Sequence, residues 1–401
     1  MSRNFRLECD RVGDAVFSDQ VFELSSSSFE NYVPLVELGQ KIKAGNIADV
    51  RESILQIVSL LRDSSDNDSI SYFSRSFLKR LALHRVPKLE KVAQDSLISI
   101  AHEFHAELCH RAFQEFPPEP VPIQLIERLQ SVALSSRQAS CGRVVLLMVT
   151  RNYVDNLKLW LDCAIRSQQS LPQIIILNLD VPSAEVSEIF EVRRVAFSEV
   201  DLRLKPYSKS GNGSSLSFIW YIKILAALIL LKSDLDVIYS DLDSFWLRDV
   251  DAFVNGLPSD TNLFFMTADN MPMISSIKFG VTCGCGFFFA RSGVENHKFF
   301  ECWLDYVGAM LDDQIGLAQM LLESNVEFSL SSMESVSWIG SGTHSSIQRY
   351  FRIGVLSKEM VVRIASVKDI SSLKCRPVVV HPRWVAEPSL MPSDYLNLLF
   401  S

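Results

Sequence analysis

Two carboxylates one residue apart, Asp241 and Asp243, follow the run Val237, Ile238 and Tyr239, which reads as a buried strand. In an α/β sheet such a strand end is where ligands sit. Paired carboxylates repel and desolvate poorly, so they persist most cheaply around a divalent cation that also takes oxygen ligands from phosphate. The tripeptide Asp-x-Asp alone says little, because it recurs at Asp66/Asp68, Asp234/Asp236 and Asp249/Asp251, where loops and helix caps account for it. Asp241 and Asp243 differ in context: a hydrophobic strand precedes them, and Phe245, Trp246 and Leu247 would pin the acidic loop to a core. Acidic turn residues that merely solvate a strand end are the alternative.

Further candidates lie along the chain. His381 follows the strand-like Val378 to Val380, and an imidazole there can supply a third metal ligand or a diphosphate contact. Lys223 sits inside an apolar helical run, where a lysine is costly unless it is paired or snorkels to the surface. The loop from Thr150 through Asn152 and Tyr153 to Asp155 leaves a first strand at the ligand edge. A nucleotide base could stack on Tyr153 there, or the loop is an ordinary connection with Asp155 at a helix start. Gly280, Gly284 and Gly286 surround Cys283 and Cys285 and permit close backbone approach to a sugar ring, with both cysteines free thiols in a tight turn. Asp313 and Gln314 open a helix, where they face a bound substrate or simply form an N-cap. Arg291 holds an acceptor or caps the sheet.

These residues need two kinds of scaffold. From Phe29 to about Ser135 the pattern is helical; Val50, Ile54, Ile57, Val58 and Leu61 mark one apolar face, and Pro117 to Pro122 stops a long helix over residues 88 to 116. On that helix His102, His105 and Cys109 share a face, read as a solvated edge, with the His-Glu-Phe-His string one residue short of a zinc motif. From Arg143 the periodicity changes. Val144 to Val149 is a strand buried on both faces, residues 154 to 168 form an amphipathic helix, and Ile174 to Leu177 are the next strand. That is a parallel βαβ unit. A polar, glycine-bearing stretch from Lys205 to Ser214 reads as a mobile loop. The expected division is a helical domain over residues 1–140 and an α/β domain over 141–401.

Four of these pieces resemble a known family in order and content. Tyr239 to Arg248 is similar to the D-x-D region of the GT-A nucleotide-diphospho-sugar transferases of glycosyltransferase family 77. Cys285 to Arg291 resembles that family's C-G-F-f-f-a-R strand, Asp313-Gln314 its D-Q, and Val379 to Trp384 its v-H-x-x-W, although Pro382 and Arg383 depart from its usual Ala-Asn. The resemblance covers about residues 143 to 390. It implies a GT-A, Rossmann-like, mostly parallel sheet with flanking helices, preceded here by an all-α N-terminal domain. It further implies transfer from a UDP-sugar of the galactose, xylose or arabinose class with retention at the anomeric carbon, and the lack of an apolar signal region points to a hydroxyl on a protein or glycan as acceptor. Mn²⁺ or Mg²⁺ is implied on Asp241, Asp243 and His381. Asp313 and Gln314 are implied at the transferred sugar and Lys223 at the diphosphate; with Asp241 and the residues placed by position, Thr150, Asn152, Tyr153, Gly284 and Gly286, they make the expected donor site. A Mg²⁺-dependent phosphohydrolase built on the two aspartates, or an inactive binding module, are the alternatives.

Bulk properties narrow the partners. A net charge of −8 argues against nucleic acid. The longest apolar run, Phe218 to Leu231, is interrupted by Lys223 and is short for a membrane span, and the start has no apolar signal region. A cytoplasmic enzyme with reduced cysteines is expected, its helical domain available for a partner or dimer contact.

Overall fold

Apolar residues at helical spacing build one part of the molecule, and β-branched runs buried on both faces build the other. The computed structural model describes residues 2–18, 33–63, 67–115, 121–139, 142–202, 215–268, 271–366, 369–370, 373, 375–384, 396–397 and 399–400. The stretch Lys205 to Ser214 and most of Pro117 to Pro122, both singled out in the sequence, lie outside these. The chain forms two compact units, Met1–Pro118 with Asn270–Gly280, and Glu119–Asp269 with Val281–Ser401.

The first unit is helical throughout its described elements, the principal ones being Ser2–Phe17, Val33–Lys43, Val50–Asp63 and Lys91–Glu115. Val50, Ile54, Ile57, Val58 and Leu61 are all buried, as their spacing requires, against Phe73, Phe77, Leu81, Leu97 and Phe104. The face with His102 and His105 is no solvated edge: both rings are buried. His105 Nδ1 lies 3.3 Å from Ser74 Oγ and 3.6 Å from Cys109 Sγ, beside the π-helical turn Phe73–Leu78. A small polar cluster of Ser74, His105 and Cys109 inside the helix bundle gives the His105 ring its partners, and among the described residues no metal-ligand set forms there.

The second unit is built on twelve strands: β1 (Arg143–Val149), β2 (Gln173–Asn178), β3 (Phe197–Asp201), β4 (Asp236–Ser240), β5 (Phe245–Trp246), β6 (Leu263–Thr267), β7 (Cys283–Ala290), β8 (Asn325–Leu330), β9 (Val336–Thr343), β10 (Tyr350–Leu356), β11 (Val361–Ser366) and β12 (Val379–Trp384). Nine form one sheet in the order β3-β2-β1-β4-β7-β6-β10-β9-β8, and β11-β12-β5 form a second. Strands β3, β2, β1 and β4 are parallel, and helices Val154–Ser167 and Ser183–Arg193 make the crossovers between β1, β2 and β3. The other half is mixed. β7 runs antiparallel to both β4 and β6. β8, β9 and β10 form an antiparallel meander, as their short connections require. The sheet is therefore mixed where a mostly parallel one is expected. Helix Ile123–Ala139, placed with the helical domain by its periodicity, packs instead on β3 and on helix Ser215–Lys232 of this second unit. The glycine and cysteine cluster also differs from expectation: Cys283 to Gly286 lie within β7 rather than in a tight turn, and burial pushes the Cys283 thiol up to about 12. Among the described residues no helix is long and apolar enough to cross a membrane.

Candidate active site

The acidic loop is held from both ends. Val237, Ile238 and Tyr239 are buried between β1 and β7. The Asp241 amide then donates to the Gly286 carbonyl at 2.7 Å, and the Ser244 amide to the Asp241 carbonyl at 2.9 Å, closing a turn around Leu242 and Asp243. Beyond it Phe245 and Trp246 pair antiparallel with Val380 and Val379. That two-residue strand explains how His381 reaches a loop far away in sequence: the residue after Val380 is set opposite the acidic turn. His381 Nε2 stands 3.0 Å from Asp243 Oδ1, and the ligand atoms of Asp241, Asp243 and His381 lie within 4.8 Å of one another.

Ser240 anchors the same turn from within the core. Its hydroxyl accepts from the indole N–H of Trp160 at 3.1 Å and of Trp246 at 3.3 Å, and lies 3.2 Å from the Asp241 carbonyl. Ser240→Ala is expected to lower the unfolding free energy by about 2 kcal/mol, since two buried indole donors lose their acceptor; urea denaturation reads it.

Lys223 joins this turn to the start of helix Asp313–Glu323. It is buried on helix Ser215–Lys232, and its ammonium donates to Asp313 Oδ2 at 2.5 Å and to the Cys285 carbonyl at 2.7 Å. Asp241 Oδ1 is 4.0 Å away, and the Tyr239 ring centroid 4.1 Å. Burial alone would lower the Lys223 pKa, but Asp313 first and then Asp241 reverse this and hold it above the ordinary lysine range. Asp313 Oδ1 accepts from the Gln314 amide at 2.8 Å, and Gln314 Oε1 from the Cys285 amide at 3.3 Å. The helix N-cap itself is Asp312, whose carboxylate accepts from the amides of Gln314 and Ile315. Asp313 is thereby released from capping to pair with the lysine.

Desolvation raises the Asp241 pKa; Lys223 opposes this, and the neighbouring Asp243 charge adds to it. Two carboxylates and an imidazole thus converge, and Lys223 beside them already has partners. This donor set, two carboxylates and one imidazole, fits Mn²⁺, and Mg²⁺ less closely. Thr150 precedes a 3₁₀ turn over Arg151–Tyr153, and its carbonyl accepts from the Tyr153 amide at 2.9 Å, while the Arg151 amide donates to Asp180 Oδ1 at 2.6 Å. Burial first, then the charges of Asp243 and Asp241, push the phenol of the half-exposed Tyr153 up. Thr150 and Asn152 share that turn, Asn152 exposed.

Gly284 pairs with Met266 on β6, and a Cβ there would stand 2.9 Å from Met266 Cγ, so its missing side chain serves strand packing. Gly286 borders Asp241 and His381 directly. Arg291 caps the sheet: its guanidinium donates to the carbonyls of Pro258, Thr261 and Leu257 and stacks on Phe264 and Phe289. Sequence reasoning passed over Tyr239 and Ser240, whose polar groups sit in an otherwise apolar strand; a buried hydroxyl requires a partner, and that requirement was the available signal.

A model of the nucleotide-diphospho-sugar transferase family matches residues 170–386. The span holds Lys223, Asp241, Asp243, Asp313, Gln314 and His381. No curated protein is significantly similar in sequence. Among solved structures the chain is similar to the apo bifunctional glycosyltransferase WbbM, at 10% identity and a TM-score of 0.44 over 83% of this chain and 63% of that one. It is similar to the glycosyltransferase GlyE of Streptococcus pneumoniae TIGR4 at 14% identity and a TM-score of 0.38, over 65% and 61%. With the galactosyltransferase LgtC in complex with donor and acceptor sugar analogues it shares 13% identity and a TM-score of 0.39, over 64% and 95%. The chain spans about three fifths of the WbbM and GlyE chains.

Proposed function

Because the chain belongs to the nucleotide-diphospho-sugar transferase family, whose model matches more than half of its residues, we propose that this glycosyltransferase is metal-dependent and retaining. The donor is a UDP-sugar of the galactose, xylose or arabinose class, and the acceptor a hydroxyl on a protein or glycan. The observation that carries this reading is the convergence of Asp241, Asp243 and His381 at the end of β4.

A divalent cation bound there supplies Lewis acidity to a departing nucleoside diphosphate. The chain's own groups bind and orient the donor around it. Tyr153 offers a half-exposed aromatic face for the nucleotide base, on the turn that follows β1, the parallel neighbour of β4. Two of the three Lys223 N–H groups go to Asp313 and the Cys285 carbonyl, which favours holding the Asp313–Gln314 corner over gripping phosphate. Both Asp313 oxygens are engaged, one by Lys223 and one by the Gln314 amide, which favours a positioning role over that of a nucleophile. Retention then proceeds by attack on the face from which the diphosphate leaves. The acceptor oxygen bonds to the anomeric carbon, the bond from that carbon to phosphate breaks, and the acceptor proton passes to the departing phosphate oxygen.

Calorimetric titration of UDP tests the donor site. Affinity is expected to rise about tenfold or more when Mn²⁺ is present, a gain of about 1.4 kcal/mol per factor of ten. Folded protein that binds UDP no better with Mn²⁺ than without it overturns the metal-dependent reading. Release of UDP from UDP-galactose, UDP-xylose or UDP-arabinose then ranks the sugars.

A further inference from the structure

Asp241 has two oxygens, and the structure treats them differently. In a pleated strand residues i and i+2 share a face, which puts the Tyr239 side chain beside that of Asp241. Tyr239 is buried, stacked on Phe288 with centroids 5.1 Å apart, and its hydroxyl donates to Asp241 Oδ1 at 2.6 Å. The Lys223 ammonium is 4.0 Å from the same oxygen. Oδ1 is therefore claimed from the core side. Oδ2 faces the other way: a Cβ on Gly286 would stand 2.8 Å from Oδ2 and 3.0 Å from His381 Cε1. The carboxylate edge and the imidazole edge share the space that this glycine leaves open.

We infer that Tyr239 and Gly286 together make Asp241 a one-oxygen ligand, with Oδ1 pinned by the Tyr239 hydroxyl and Oδ2 alone offered toward Asp243 and His381. Tyr239 is then a positioning residue of the metal centre, acting through Asp241. This rests on the metal-dependent reading above. The physical reason is the softness of the carboxylate torsion, which is broad and two-fold, so an unpinned Asp241 rotates and loses its aim. Partners one shell removed from a metal typically set its affinity by about 10–100-fold. Gly286 acts by volume: any side chain there displaces Oδ2 or the imidazole.

Mn²⁺ binding to wild type, Tyr239→Phe and Gly286→Ala, followed by loss of the free-ion electron paramagnetic resonance signal, tests it without turnover. Tyr239→Phe keeps the ring, the stack on Phe288 and the contact with Lys223. It is expected to bind UDP like wild type in the absence of metal, and Mn²⁺ about tenfold more weakly or worse. Gly286→Ala is expected to weaken Mn²⁺ likewise, and it decides the matter alone if Tyr239→Phe does not fold, since it crowds Oδ2 without touching the hydroxyl. A folded variant of either kind with wild-type Mn²⁺ affinity overturns the inference and leaves the metal reading standing. Wild type that binds no Mn²⁺ overturns both.

Discussion

Asp243→Asn is expected to lower kcat/KM for sugar transfer by roughly 10³-fold or more while leaving the protein at least as stable as before. The loss follows from electrostatics: a leaving diphosphate develops charge that a preorganised site must neutralise, and weakening one such contact costs about 10²–10³-fold. Removing a ligand charge withdraws that stabilisation from every phosphate oxygen at once. The stability half follows from the neighbourhood. Asp243 adds to the raised pKa of Asp241 by like-charge repulsion, so the metal-free protein carries an electrostatic cost that the substitution relieves. The asparagine keeps the shape of the side chain and an oxygen that can accept from His381, which now bonds Asp243 Oδ1 at 3.0 Å. Initial rates over UDP-sugar concentration, with a thermal melt of metal-free protein, separate the two halves. Transfer retained within about tenfold of wild type would sink the metal-centred reading, because that is only about 1.4 kcal/mol of barrier. Melting markedly below wild type would make Asp243 a structural residue instead.

What the sequence made legible divides by whether the signal was local. Strands β1 and β2 are continuous apolar runs buried on both faces, so their type, order and parallel pairing could be read directly. Asp241 and Asp243 were legible for a related reason: acids that end such a run stand where a parallel sheet opens. Pairing over long separations was not legible. β5 is two residues long and carries no periodicity, yet its ladder with β12 is what brings His381 to the acidic turn. Helix Ile123–Ala139 shows the same limit, since an apolar stripe says that a face is buried but not against what. The buried histidines of the helical unit misled in the opposite direction. His102 and His105 look like a polar edge in sequence, yet both are buried, and the His105 ring finds Ser74 on a different helix. Lys223 was conspicuous as a charge in an apolar helix, but its partner Asp313 lies far ahead in the chain, reachable only once β7 and two helices are folded around them.

Lys223→Met is expected to destabilise the protein by about 3–5 kcal/mol, the usual cost of breaking a buried pair and stranding one charge. Methionine fills much of the volume of the lysine stem, so lost packing is a minor part. What remains is the Asp313 carboxylate, buried, with the Gln314 amide as its contact and Asp241 as a nearby like charge that Lys223 had offset. The Cys285 carbonyl loses its donor as well. Adding Asp313→Asn removes the stranded charge, so the double variant should recover part of the loss; urea unfolding of the four proteins gives the coupling directly. The pH dependence has a definite sign. A lysine whose folded pKa lies above its unfolded value, about 10.4, contributes its full stabilisation below that value and loses it only as pH rises through the folded pKa. The difference between wild type and Lys223→Met should therefore hold steady from pH 7 to pH 9 and shrink only in strong alkali. A difference that faded across the neutral range would mean that Lys223 is not held charged by Asp313, and the corner it builds around Gln314 would need another account.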